Sequence, residues 1–83
     1  MMQHEEIINK INQLLIEEIE IEESQISPSA DLKKDLEIDS LDFVDLFVLI
    51  ENNFGFKMKA EEMSDIKKLD DFYNYVIRRV NSN

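Results

Sequence analysis

The fold is decided by one stretch of sequence, Asp39-Ser40-Leu41-Asp42-Phe43-Val44-Asp45-Leu46-Phe47-Val48-Leu49-Ile50-Glu51-Asn52-Asn53-Phe54. Its first residues are typical of a helix N-terminus, because Asp39 can cap free backbone N–H groups and Asp42 puts a second carboxylate into the first turn. Ser40 then takes the first helical position. A phosphate attached to its hydroxyl would meet unpaired N–H groups and the positive end of the helix dipole. The stretch therefore predicts a helix that presents a serine at its start.

The apolar residues of this helix fall on two sides. The side wide enough to pack a core holds Phe43, Leu46, Phe47, Ile50 and Phe54. The other side holds Leu41, Val48 and Leu49 among Asp42, Asp45 and Asn52. A surface helix normally keeps its second side polar, so apolar residues among acids indicate a docking face. An inner helix buried all round would show the same pattern, and the helix pattern alone leaves both interpretations open.

The motif Asp39-Ser40-Leu41-Asp42 resembles the D-S-L-[DE] motif of acyl carrier proteins, in which the serine receives 4'-phosphopantetheine. The resemblance runs from Ile26 to Val76 without an obvious insertion, and it also fits the preceding helix. It includes Leu36-Glu37-Ile38 before the motif, the acidic and apolar helix after it, and Ile66-Lys67-Lys68-Leu69 at the start of the last helix. The sequence departs from the usual pattern at Glu37 (often glycine), at Asn52-Asn53 (often acidic) and at Lys59 (often proline).

The resemblance implies a carrier and not an enzyme. A phosphopantetheinyl transferase would attach the arm from coenzyme A to Ser40, and the arm's thiol would hold acyl groups as thioesters. The residues agree with this, because Ser40 has no visible base to activate it and the only histidine is His4 near the N-terminus. A calcium loop at Asp35, Glu37 and Asp39 fails on spacing, because Ser40 and Leu46 occupy the glycine and glutamate positions. We therefore expect no metal site.

Composition limits the class of protein. The 83 residues fit one domain, residues 1–83, with a net charge of −10 that would repel nucleic acids and anionic membranes. The longest apolar run, residues 46–50, is too short to span a membrane, and the absence of cysteine makes the cytoplasm the default compartment. No basic residue lies between Lys34 and Lys57, where six acids fall, so basic partner enzymes are expected. We expect a monomer.

The sequence predicts an all-α four-helix bundle of acyl-carrier type. Its helices are predicted near residues 4–20, 40–53, 60–64 and 69–80, with a long loop between the first two and a short third helix. The long loop should be held to the bundle by Ile26, Leu32 and Leu36, and Gly55 suits a left-handed helix cap. Residues 81–83 are predicted to be a frayed tail.

Three groups of site residues are predicted. Ser40 is the attachment residue and Asp39 caps the helix beside it. The face that meets partners contains Leu41, Asp42, Asp45, Val48 and Glu51. The cleft for acyl chains contains Phe43, Phe47, Ile50, Met58, Met63, Ile66 and Phe72, with Leu32. Because these side chains are large, and Phe43 stands where the family more often has a small hydroxyl residue, we expect a narrow resting cleft gated by Phe43.

The main hypothesis is an acyl carrier in fatty-acid or related synthesis. A carrier that loads an amino acid or a specialised acyl group for a dedicated pathway would have the same motif. A hypothesis of another class is an unmodified acidic helical protein that only binds, with Ser40 as an ordinary helix-start residue. Intact mass after treatment with a transferase separates these classes.

Overall fold

The computed structural model describes residues 3–82, which form three α-helices and two 3₁₀ helices. The α-helices are α1 (His4–Glu17), α2 (Ser40–Phe54) and α3 (Leu69–Asn81), and the 3₁₀ helices are Glu23–Gln25 and Ala60–Asp65. The predicted all-α fold is confirmed, with a long loop before α2 and a short third helix that has 3₁₀ geometry. No helix within the described residues combines the length and apolar composition that a membrane span needs.

The core forms where α1 packs against both α2 and α3. Each α-helix contributes side chains that are almost completely buried: Ile7, Ile11 and Leu15 from α1, Leu46 and Ile50 from α2, and Leu69, Phe72 and Val76 from α3. These residues recur at the three- and four-residue spacing that places side chains on one helix face. The helical periodicity of the sequence therefore identifies the faces that meet in the core.

The end of α1 differs from the prediction, because the helix stops at Glu17 and not near residue 20. The N–H groups of Glu18 and Ile19 both donate to the Leu14 carbonyl, at 2.9 and 3.2 Å. Glu20 then adopts a left-handed conformation with φ of 66°. The turn buries Ile21, whose N–H donates to the Leu15 carbonyl at 2.9 Å. The helix ends early because burial of Ile21 requires the chain to change direction there.

Both ends of α2 agree with the prediction. Asp39 is its N-cap, and Gly55 follows its last residue with φ of 80°. The Gly55 N–H donates to the Glu51 carbonyl at 2.9 Å, which is the bond expected of a left-handed cap. The end of α3 differs from the predicted tail, since Asn81 still belongs to the helix. Asn83 lies outside the described residues.

The long loop between α1 and α2 is joined to the start of α3 by backbone hydrogen bonds. The Leu32 N–H donates to the Lys67 carbonyl, and the Leu69 N–H donates to the Ala30 carbonyl, both at 2.9 Å. Leu32 and Leu36 are buried, and Ile26 packs against the core as a partly buried residue. The three predicted anchors of the loop are confirmed, and the loop is fixed in place where it reaches Ser40.

Glu37 lies just before the capped start of α2 and has a left-handed backbone with φ of 54°. This conformation costs a residue with a β-carbon about 1–2 kcal/mol, whereas glycine adopts it without this steric strain. We expect Glu37→Gly to raise the free energy of unfolding by about 0.5–1 kcal/mol, after subtracting the greater freedom of glycine in the unfolded chain. Urea unfolding followed by circular dichroism measures the change.

Glu37→Ala is the matched control, because it removes the carboxylate and keeps the β-carbon. Its stability should stay close to wild type. If Glu37→Ala stabilises the protein as much as Glu37→Gly does, the gain comes from lost charge repulsion, and the conformational explanation is wrong.

Candidate functional site

Ser40 is placed by a reciprocal cap at the start of α2. The Asp39 carboxylate accepts the Asp42 N–H at 2.9 Å, and the Asp42 carboxylate accepts the Asp39 N–H at 3.4 Å. This arrangement fixes both aspartates and leaves Ser40 as the first helical residue, exposed to solvent. The N–H groups of the first turn have no partner within the helix unless a cap supplies one. The predicted role of Asp39 as the helix cap is confirmed.

An open groove of about 890 Å³ lies beside Ser40. Its apolar lining consists of Leu32, Ile38, Phe43, Val44, Phe47, Ala60, Met63 and Ile66. Its polar lining consists of Asp31, Lys33, Lys34, Asp39, Ser40, Ser64 and Lys67. The groove therefore combines an apolar wall with a polar rim that includes Ser40.

The structure places the predicted cleft residues in two different environments. Phe43, Phe47, Met63 and Ile66 line the groove, together with Leu32. Ile50, Met58 and Phe72 are buried in the core and do not line it. Helical periodicity shows that a side chain points inward but not how deep it lies, which explains why these three residues were assigned to the cleft.

The narrow resting cleft expected from the large side chains stays a prediction, although several of those side chains line the groove beside Ser40. Phe43 and Phe47 are half-buried against the core, with ring centroids 6.4 Å apart, and leave the groove open. Both rings still line the groove, so they can contact an occupant. Whether Phe43 acts as a gate stays a prediction.

The second side of α2 exposes three apolar residues, which we call the exposed stripe: Leu41, Val44 and Val48, with exposed fractions of 77%, 57% and 52%. This exposure excludes a helix buried all round. Leu49, which was assigned to the same side, instead packs partly buried against the core. Val44 was missed by the sequence analysis, although its spacing from Leu41 and Val48 matches one helix face. The predicted partner-face acids Asp45 and Glu51 are exposed, and Asp42 is half-buried.

A polar cluster attaches the Ala60–Asp65 helix, one wall of the groove, to α3. The Glu62 carboxylate accepts the Tyr75 hydroxyl at 2.8 Å and the Arg79 guanidinium at 3.1 Å. Arg79 also donates to the Lys57 carbonyl at 3.3 Å. Burial, together with the bond to Glu62, raises the pKa of Tyr75 above its ordinary value. The sequence did not reveal this cluster, because its members are distant along the chain.

Asp31 organises the loop on another side of the groove. Its carboxylate accepts the backbone N–H groups of Lys33 and Lys34 at 2.9 and 2.8 Å. The bond from Lys34 is the largest of the causes that hold the pKa of Asp31 below its ordinary value. Asp35, one of the three acids considered for calcium, accepts the Asp31 N–H at 2.8 Å. Residues 3–82 contain no group of three or more side chains placed to hold a metal ion.

Comparison with known proteins gives concordant matches over most of the chain. The family model described as phosphopantetheine attachment site matches residues 9–76. An acyl carrier protein of Rubrobacter xylanophilus is 36% identical over 76 residues, which cover 92% of this chain and 94% of that protein. An acyl carrier protein of Thermotoga maritima is 34% identical over 80 residues, which cover 96% of this chain and 99% of that protein.

These matches cover the exposed Ser40, its capped helix and the groove beside it. They agree with the motif and with the helical fold described above. The chain therefore belongs to the acyl carrier protein family, whose members are non-catalytic carriers with a phosphopantetheine attachment site.

Proposed function

We propose that Ser40 is the residue to which phosphopantetheine is attached, and that the protein carries acyl groups on this arm. The observation that supports this most strongly is the position of Ser40, exposed at the first turn of α2 and on the rim of the open groove. Ser64 is the other serine that lines the groove. Its hydroxyl donates to the Glu61 carbonyl at 3.1 Å, so it is a less favourable acceptor for the arm.

The residues around Ser40 fit such a group. A phosphate on the hydroxyl would face the free N–H groups of the first turn and the positive end of the helix dipole. When bound, the arm supplies a thiol that holds acyl groups as thioesters. The chain's own part is to present the hydroxyl, to keep the helix start rigid through Asp39, and to offer the apolar wall of Phe43, Phe47, Met63 and Ile66 to the carried group.

The proposed role is in fatty-acid or related synthesis. The relatives are named only as acyl carrier proteins, and these names specify no pathway. A dedicated pathway with an aminoacyl or specialised acyl group is the alternative. Glu37 keeps this alternative open, because its left-handed backbone carries a side chain where the resemblance to the family leads us to expect glycine. A cytoplasmic location and a monomeric state stay predictions of the sequence.

Intact mass spectrometry tests the attachment. The wild-type protein is incubated with coenzyme A and each of several phosphopantetheinyl transferases, then digested to map the modified peptide. We expect one added phosphopantetheine, on the peptide that contains Ser40. A wild-type protein that stays unmodified with every transferase would favour the unmodified binding protein instead.

The exposed stripe and the acids around it form the proposed surface for partner enzymes with basic surfaces. Asp45 is the acid best suited to a test, because it is exposed and takes no part in the cap that holds Asp42. We expect Asp45→Lys to slow modification by about tenfold below substrate saturation, since a reversed charge weakens association with a basic partner. Higher salt should slow the wild type in the same direction, because salt screens exposed charges.

Glu17→Lys at the exposed end of α1 is the matched control, because it changes the net charge by the same amount away from α2. It should leave the modification rate near wild type. Equal slowing by both variants would show a general effect of net charge, and no slowing by Asp45→Lys would exclude Asp45 from the docking surface.

A further inference from the structure

The rim of the groove has an unusual charge for this protein. The chain carries a net charge of −10, but the groove is lined by three lysines, Lys33, Lys34 and Lys67, and by two aspartates, Asp31 and Asp39. Both aspartates accept backbone N–H groups and thereby serve the loop and the helix cap. The lysine side chains are exposed on the rim.

None of these three ammonium groups forms an ion pair with a carboxylate among the described residues, although the charges of Lys33 and Lys34 help to lower the pKa of Asp31. The one ion pair found among residues 3–82 joins Arg79 and Glu62, outside this rim. An acidic protein offers many carboxylates, so three unpaired lysines around one groove leave positive charge available to an anion from outside.

The backbone brings the three lysines together. The Leu32 N–H donates to the Lys67 carbonyl, which places the start of the Lys33–Lys34 pair beside Lys67. The Asp31 carboxylate then holds the backbone of both loop lysines. We call Lys33, Lys34 and Lys67 the lysine edge. It borders the same groove as Ser40 and the apolar residues Phe43 and Phe47.

We propose that the lysine edge binds an anionic group that the arm on Ser40 carries into the groove. Two parts of a loaded arm have this chemistry, namely the phosphodiester that joins the arm to serine and a carboxylate at the far end of a dicarboxylic acyl group. In the second arrangement the alkyl segment lies against the apolar wall while the carboxylate meets the lysines. This inference rests on the proposed function, and it adds a class of cargo and the residues that recognise it.

The test compares thermal unfolding of the apo, holo, hexanoyl and adipoyl forms at low salt. The two acyl groups have equal length and differ in the terminal carboxylate. In the combined variant Lys33→Gln/Lys34→Gln/Lys67→Gln, the adipoyl-minus-hexanoyl difference in Tm should fall by about 3 °C, as expected for a few partly exposed charge pairs in a small domain. If the phosphodiester is the bound anion, the holo-minus-apo difference should fall instead.

Lys10→Gln/Lys57→Gln/Lys59→Gln is the matched control, because it removes the same charge at positions that do not line the groove. Both differences should keep their wild-type values in this control. The proposal is overturned if the lysine-edge variant also keeps both wild-type differences, or if the control loses as much as the lysine-edge variant.

A chemical route makes the test independent of any transferase. The chain has no cysteine, so Ser40→Cys provides a single thiol that can be labelled with methanethiosulfonates bearing a hexyl or a carboxypentyl chain. A carboxypentyl-minus-hexyl difference in Tm that disappears with the lysine-edge substitutions supports carboxylate binding, even if no transferase modifies the wild type. Failure of enzymatic modification would count against the proposed function alone. If the carboxypentyl-minus-hexyl difference in Tm is the same with and without the lysine-edge substitutions, carboxylate recognition is contradicted.

Discussion

Replacing Ser40 with alanine should abolish attachment of phosphopantetheine while leaving the fold intact. The substitution removes the oxygen that, in the proposed function, bonds to phosphorus, and alanine offers no other atom for this bond. Ser40 is exposed, and alanine is a good helix former, so we expect the free energy of unfolding to change by less than about 0.5 kcal/mol. Intact mass after transferase treatment measures attachment, and thermal unfolding measures the fold.

Ser64→Ala is the control for this experiment, because Ser64 lines the same groove and lies in the Ala60–Asp65 helix. It should be modified like the wild type. Two results would contradict Ser40 as the attachment site. One is attachment of phosphopantetheine to the Ser40→Ala variant, and the other is loss of attachment in a folded Ser64→Ala variant.

Truncation of Leu46 should have the largest effect on stability within α2. Its side chain is fully buried between the helices of the core. Leu46→Ala should lower the free energy of unfolding by about 2–5 kcal/mol, because it removes apolar contacts and leaves a cavity. A domain of this size has a total stability of only about 5–10 kcal/mol, so much of it would be lost. Urea unfolding followed by circular dichroism gives the value.

Val48→Ala, two residues further along, is the contrasting variant because 52% of its side chain is exposed. We expect it to change the free energy of unfolding by less than about 0.5 kcal/mol. If the exposed stripe binds partners, this variant should nonetheless slow modification by the transferase. Equal destabilisation by the two variants would contradict the assignment of Leu46 to the core and Val48 to the surface.

The features that local sequence encodes were predicted well. Asp39 and Asp42 form the predicted cap, and Gly55 adopts the left-handed conformation that ends α2. Both depend on residues within one or two turns of the helix end, so sequence neighbours suffice to identify them. The same holds for the position of Ser40, since the cap determines which residue starts the helix.

Features that depend on distant contacts were not predictable in this way. The early end of α1 follows from burial of Ile21. No glycine or proline marks this helix end in the sequence. Phe72, which was expected in the cleft, is buried in the core and does not line the open groove, because periodicity gives the direction of a side chain and not its depth. The bond between Glu62 and Tyr75 joins residues from different elements, and only the folded chain brings them together.

Val44 belongs both to the exposed stripe and to the lining of the groove. An enzyme that recognises the stripe would therefore touch the rim of the groove that is proposed to hold the acyl group. Such an enzyme could distinguish a loaded carrier from an empty one by surface contact alone, before the acyl group leaves the groove. The enzyme would then recognise the carrier and detect its acyl group in the same binding event.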